Sequence, residues 1–428
     1  MKMALRQAIA LAIFSSLAIP LSSASGRIIS VGSGGDVRTI SEAVLVAQAG
    51  DTVVVREGVY SEPTITVDRS IVLLGRPGAV LDGEGERGLL LITAPGVTVT
   101  GLAFRNVGVS FVEDRAGVRI EEGHDCLIDG NTFDDTFFAV YLAKTSGCTV
   151  SRNTIVGRAQ RQTGSGNGIH AWYCKNLRIV DNRIDHMRDG IYLEFVEDAE
   201  VSRNVSVNNL RYGLHFMFSD RCRYEENVFR YNDAGVAVMY TERVEMIGNR
   251  FEHNWGSAAY GLLLKDINDS RVTGNLFLDN TIGLHVEGAN RMEVFDNEFR
   301  ANGWAVKLMA NSVDNRFSRN NFVGNTFDVS TNSTRNYSEF EGNYWDRYKG
   351  YDLDRDGVGD VPFRPVRLFS IVVEREEPAL ILLRSFMVDI LDTLERILPV
   401  LTPETLADES PLMRAYGGGS LHSPVSSP

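Results

Sequence analysis

The strings Gly213-Leu-His215-Phe-Met217 and Gly235-Val-Ala-Val-Met239 place a methionine four residues after a glycine twice, 22 residues apart. The first adds a histidine two residues before its methionine. Imidazole with thioethers is a ligand set for a soft ion such as Cu(I), because a thioether binds without losing a proton and need not bind tightly. His170 and His285 also stand two residues after a glycine, which makes them secondary copper candidates. A hard-cation set lies further on. Asp352-Leu-Asp354-Arg-Asp356-Gly357-Val-Gly-Asp360 alternates carboxylates and puts glycine sixth, as a calcium loop does, although Phe363 stands where a bidentate glutamate would close it. Carboxylates for sugar chemistry are present, for example Asp134, Asp135 and Glu194, but no pair recurs at the spacing a glycosidase needs on one face. The four cysteines, Cys126, Cys148, Cys174 and Cys222, show neither CxxC nor zinc spacing.

An internal repeat positions these residues. Asparagine followed two residues later by a bulky apolar residue or its equivalent recurs at 131, 153, 182, 204, 227, 249, 275, 297, 320 and 343, mostly at intervals of 22 or 23. In phase with it runs a small residue followed by alternating apolar positions, as in Gly190-Ile-Tyr-Leu193 and Gly283-Leu-His-Val286. The leucine-rich-repeat pattern is absent. Short alternations, three per period, describe strands of period two. Three strands per turn wound in one direction make a right-handed parallel β-helix, an all-β solenoid. Asn suits a turn because it tolerates the left-handed conformation and can hydrogen-bond along a stack. Phe133, Phe229, Phe251, Phe277, Phe299 and Phe322 then form an internal aromatic stack. Residues 39–48 form a short amphipathic helix, with Ile40, Ala43, Val44 and Ala47 on one face, which should cover the open N-terminal end.

Within the glycine strands, positions two and four after the glycine point outward. That puts His170, His215 and His285 in one outward column, and Met217 beside Met239 in the next. Exposed methionine is unusual for an apolar residue. Two insertions, after Asn153 and after Asn249, emerge on one edge and bracket the coils of His215, Met217 and Met239. Cys126 and Cys148 share an inward column on adjacent coils, so buried thiols are expected, with a disulfide between them as the alternative.

Outside the repeat, residues 1–24 read as a signal peptide: Lys2 and Arg6, an apolar run too short to span a bilayer, then small residues before a cleavage site after Ala24. Its removal takes the net charge from −13 to −15, which excludes a basic nucleic-acid footprint. The solenoid occupies 25–346, the Asp-rich loop and connector 347–377, an amphipathic helix 378–398, and a partly disordered tail 399–428. Leu383, Met387, Leu391 and Leu394 lie on the apolar side of that helix, which has no neighbour in the repeat and so should dock on a partner.

The strings Tyr212-Gly-Leu-His-Phe-Met-Phe-Ser219, Ala234-Gly-Val-Ala-Val-Met-Tyr240, Tyr260-Gly-Leu-Leu-Leu-Lys-Asp-Ile267 and Gly342-Asn-Tyr-Trp-Asp346 closely resemble the NosD family, periplasmic maturation factors of nitrous oxide reductase. The resemblance covers nearly the whole chain. It implies an accessory protein, not an enzyme, held at the inner membrane by an ABC transporter permease with a cytoplasmic ATPase. It further implies copper passing from a lipoprotein chaperone to apo nitrous oxide reductase, ahead of assembly of the copper–sulfide centre. Two other functions fit the same fold: a metal-free scaffold for the reductase and its chaperone, and a polysaccharide lyase, hydrolase or epimerase.

Overall fold

The computed structural model describes residues 26–417, apart from 111, 257–258, 334–335, 384, 389 and 392–405. The signal peptide and the tail beyond Gly417 lie outside the described residues. Among those described, the strands fall into three sheets of 14, 12 and 13 strands. Each coil gives one strand to each sheet, and every strand pair is parallel and in register, for example Ile191↔Leu214 and Leu214↔Val236. This is the parallel β-helix that the repeat predicts. Inward positions are sealed: Leu214, Phe216, Val236, Val238, Leu262 and Leu264 are all fully buried.

The N-terminal end is covered as expected. Helix α1 (Ile40–Val46) starts on a capping box between Thr39 and Glu42 and buries Ile40, Ala43 and Val44. Glu62 accepts hydrogen bonds from the Ile40 and Ser41 amides, two of the donors a helix start leaves without partners.

The repeated asparagines are buried and linked side chain to side chain. Asn204 donates from its backbone and its Nδ2 to Asn227 Oδ1, at 2.9 and 3.0 Å, and the pattern repeats from Asn131 to Asn343. A second ladder, not anticipated from the sequence, runs through Asn209, Asn232, Asn254, Asn280, Asn302 and Asn325. Each member stands five residues after a member of the first, a spacing the sequence displays openly. The aromatic stack is continuous from Phe229 to Trp345, with ring centroids 4.1 to 5.8 Å apart. Phe133 stacks instead on Phe104, because Ile155, Ile184 and Ser206 occupy the intervening coils.

The C-terminal part departs from expectation. Helix α2 (Leu368–Arg375) falls in the expected connector, and over the described residues of 378–391 the expected single helix is instead a 3-10 turn (Glu377–Leu382) and helical residues 386–388 and 390–391; residues 392–398 lie outside the described residues. Pro378 starts a new helical segment and cannot extend the one before it. The expectation that this region has no neighbour in the repeat is also corrected. Leu383 and Leu391 pack, with Phe369 and Val373, against Ile282, Trp304 and Phe327 on the outer face of the 12-stranded sheet. Lys307 and Glu374 form a half-buried ion pair at 3.0 Å, and Ser330 donates to the same Glu374 oxygen. Met387 is exposed, as are Ile381, Phe386 and Ile390; Leu394 lies outside the described residues. The tail from Leu406 to Gly417 is also structured. Asp408 is fully buried and accepts from Asn343 N, Asn343 Nδ2 and Trp345 Nε1, so it terminates the first ladder.

Candidate metal site on the outer face of the solenoid

His215, Met217 and Met239 all project from the outer face of the 12-stranded sheet. Met217 (on the strand Tyr212–Met217) and Met239 (on the strand Ala234–Glu242) are directly paired across adjacent strands. Both are half-buried. His215 corrects the expectation of an exposed ligand: only 5% of it meets solvent. Two tyrosine rings cover it, Tyr192 from the preceding coil in the same column and Tyr212 from three residues earlier on its own strand. Tyr192 meets it edge-on at 4.8 Å and Tyr212 at 4.6 Å. Neither imidazole nitrogen has a hydrogen-bond partner. Burial pushes the imidazole down to about 4, so it is neutral at pH 7 and keeps one lone pair free. A buried polar group without a partner costs about 1–3 kcal/mol, which marks this ring as out of place in a purely structural role.

The secondary histidines differ from it. His170 lies between Tyr141 and Tyr192, and burial takes it down to about 3. Its Nδ1 already faces the Asn167 amide nitrogen at 3.0 Å, so this ring is held structurally. His285 is also lowered by burial, with Nδ1 unpartnered and Nε2 3.7 Å from Glu287. Ala237 and Leu263 stand between His215 and His285 in the column, so these two imidazoles do not meet on one ion.

The two insertions join the 13-stranded sheet to the 12-stranded sheet, on the same edge, as the spacing predicts. On the opposite edge lies a feature not anticipated from the sequence. Tyr173, Phe195, Phe218 and Tyr240 stack ring on ring at 4.6, 5.0 and 5.1 Å along four coils. All four adopt positive φ, between 49° and 55°, where bulky residues are uncommon. Three of them, Tyr173, Phe218 and Tyr240, are exposed. Phe218 and Tyr240 directly follow Met217 and Met239.

The cysteines are buried and free, so the disulfide alternative between Cys126 and Cys148 is not realised; the Cys126 amide donates to Cys148 sulfur at 3.4 Å. In the Asp-rich turn, Asp352, Asp354 and Asp356 bring carboxylate oxygens within 4.8 Å of one another. Asp360 stands outside that group and accepts from the Leu353 amide at 2.7 Å. The hydrogen bond from the Asp356 amide lowers Asp354, but repulsion from Asp356 and burial outweigh it and the net shift is upward. Of the acids considered for sugar cleavage, Asp134 is engaged by Arg158 at 3.2 Å, while Glu194 stands between Trp172 and Met217 with no acid on either flanking strand position.

A family model described as "Periplasmic copper-binding protein (NosD)" matches residues 154–350, the coils that carry these side chains. A protein of Pseudomonas aeruginosa named "Probable ABC transporter binding protein NosD" is 32% identical over 375 residues, covering 81% of this chain and 85% of that protein. The chain belongs to the NosD family. A NosD of Stutzerimonas stutzeri with the same name is 30% identical, covering 82% of this chain and 84% of the relative. Among solved structures, the catalytic unit of an α-1,3-glucanase from Streptomyces thermodiastaticus superposes with a TM-score of 0.52 at 13% identity, over 72% of this chain and 62% of that one. That likeness is one of fold. No helix among the described residues is long and apolar enough to cross a membrane.

Proposed function

We propose that this chain is a periplasmic copper carrier working with an ABC transporter, and that His215, Met217 and Met239 are its Cu(I) ligands. The observation that carries the assignment is the buried His215 imidazole, unpartnered at both nitrogens, two residues from a cross-strand methionine pair. One neutral nitrogen and two thioethers match the softness of Cu(I), and none of the three must lose a proton to bind it. Adjacent strands are about 4.8 Å apart, so the two sulfurs can share one ion after rotamer adjustment. Weak, neutral ligands suit a carrier that accepts copper from a lipoprotein chaperone and releases it to apo nitrous oxide reductase.

The exposed side chains of Ile381, Phe386, Met387 and Ile390 form the face offered to the transporter permease, replacing the solenoid-bound Leu383 and Leu391 in that role. The relatives' name as transporter binding proteins supports this association. The carboxylates of Asp352, Asp354 and Asp356 would hold a structural calcium ion, since hard oxygen donors do not compete for Cu(I).

The test is an anaerobic Cu(I) titration of the purified protein against a chromophoric chelator. The variant His215→Gln/Met217→Leu/Met239→Leu keeps volume and fold but removes the soft donors. It should lose the site and yield a reductase without its catalytic copper centre. Unchanged binding and full maturation at limiting copper would favour the metal-free scaffold, for which the exposed aromatic column is a ready protein-binding strip.

A further inference from the structure

Tyr192 touches both halves of the candidate site at once. Its hydroxyl donates to Met217 Sδ at 3.4 Å, and its ring lies edge-on to His215 at 4.8 Å. The register explains the contact: Tyr192 pairs with His215 across adjacent strands, one coil earlier, and Glu194 pairs with Met217. The phenol ring therefore fills the space between the imidazole and the nearer thioether. Tyr212 closes the other side of the imidazole at 4.6 Å. A metal ion needs a lone pair from His215 and one from Met217 on the same point. In this arrangement one sulfur lone pair is engaged by the phenol, and both imidazole nitrogens are walled off from solvent.

We propose that Tyr192 is the gate of the soft-metal site: its hydroxyl on Met217 and its ring on His215 hold the site closed, and loading requires this side chain to swing away. The inference rests on the copper reading above. It assigns a role to a residue that need not touch the metal. The closed state keeps the donors apart, so the carrier's apparent affinity is the intrinsic affinity reduced by the fraction of molecules that are open. Tyr192 stands three residues before Phe195, whose half-buried ring stacks on the exposed Phe218, and it lies one coil from Met217 and two from Met239; a protein docked on that stack is placed to displace it.

The experiment compares wild type, Tyr192→Phe and Tyr141→Phe by Cu(I) titration against a chromophoric chelator, using the full mature protein. Tyr141 is in the same outward column two coils away and makes no contact with Met217. Tyr192→Phe keeps the ring and its packing but deletes the hydrogen bond to sulfur. Breaking one such bond should tighten apparent Cu(I) affinity about three- to ten-fold and speed loading, with Tyr141→Phe unchanged. Equal or weaker binding by Tyr192→Phe would overturn the gate while leaving the ligand assignment standing. If the triple variant of His215, Met217 and Met239 binds as wild type does, the ligand assignment fails and the gate fails with it. A tightening shared by Tyr141→Phe would also refute the gate, because the effect would then be a general loosening of the face.

Discussion

Asp408 closes the C-terminal end of the solenoid, and removing it should unzip that end without unfolding the rest. Its Oδ2 accepts from Asn343 N at 2.9 Å, Asn343 Nδ2 at 3.0 Å and Trp345 Nε1 at 3.0 Å. Its Oδ1 accepts from Gly342 N and Ser410 N at 3.0 and 3.1 Å. An asparagine in a ladder offers an acceptor to one neighbour and donors to the other, so a ladder of asparagines always ends with donors unmet. A carboxylate has only acceptors and therefore ends it cleanly. In Asp408→Ala, three buried N–H groups, on Asn343 N, Asn343 Nδ2 and Trp345 Nε1, lose this acceptor, while Asn343 Nδ2 keeps its other bond to the Phe317 carbonyl; at about 1–2 kcal/mol each the loss is about 3–6 kcal/mol. Asp408→Asn retains one acceptor oxygen but turns an NH2 toward two backbone donors, for a loss of about 2 kcal/mol. Because each coil contacts only its neighbours, the loss should appear locally. Hydrogen exchange read amide by amide is the assay. Protection at Asn343 and Tyr344 should fall by about two to four powers of ten in Asp408→Ala, less in Asp408→Asn, and not at all at Asn182. Unchanged protection at Asn343 in the alanine variant, or an equal fall at Asn182, would refute the reasoning.

Three further outcomes are expected. Ile381→Glu with Phe386→Glu alters side chains that are 90% and 76% exposed, so the protein should keep its melting temperature yet cease to co-purify with transporter-containing membranes; retained association places docking elsewhere. Removing calcium with a chelator should lower thermal stability of the wild type by a few degrees and leave Asp354→Asn unaffected, as read by differential scanning calorimetry. Stability should also fall with acid through the outer-face histidines. Burial holds His215 at about 4 against 6.5 for a free imidazole, so the unfolded chain takes up its proton first. The contribution is complete above pH 6.5 and about 3 kcal/mol is lost by pH 4, with His170 acting in the same sense. Urea titrations should show a flatter pH dependence in His215→Gln.

The coil architecture is legible in the sequence because a period of 22 or 23 repeats the same inward and outward positions. Asn204, Asn227 and Asn249 announce their ladder by spacing alone. The second ladder is equally periodic and escapes notice only because Asn209 and Asn232 precede no fixed apolar partner. The pairing of Met217 with Met239 follows from the repeat as well. The cover over His215 does not, since outward direction says nothing about what neighbouring rings do, and Tyr192 must be known to lean toward the next strand. The non-periodic C-terminal region is least legible. Leu383 and Leu391 form an apolar stripe that would serve a partner or the solenoid equally well, and only the position of Ile282, Trp304 and Phe327 decides for the solenoid.

The two asparagine ladders also give the molecule mechanical character. From Asn209 to Asn325 each coil is tied to the next by buried amide bonds at two corners, in addition to the strand pairings, so the rod bends little between His215 and the C-terminal strap. Five strand spacings, about 24 Å, separate His215 from Val329, which lies under that strap. A stiff body turned at one end converts a small rotation into travel at the other. A tilt of about 10° imposed at the strap would carry His215 about 4 Å, close to one strand spacing. That is enough stroke for a lever to bring a bound ion up to a partner's ligands, or to take it out of their reach.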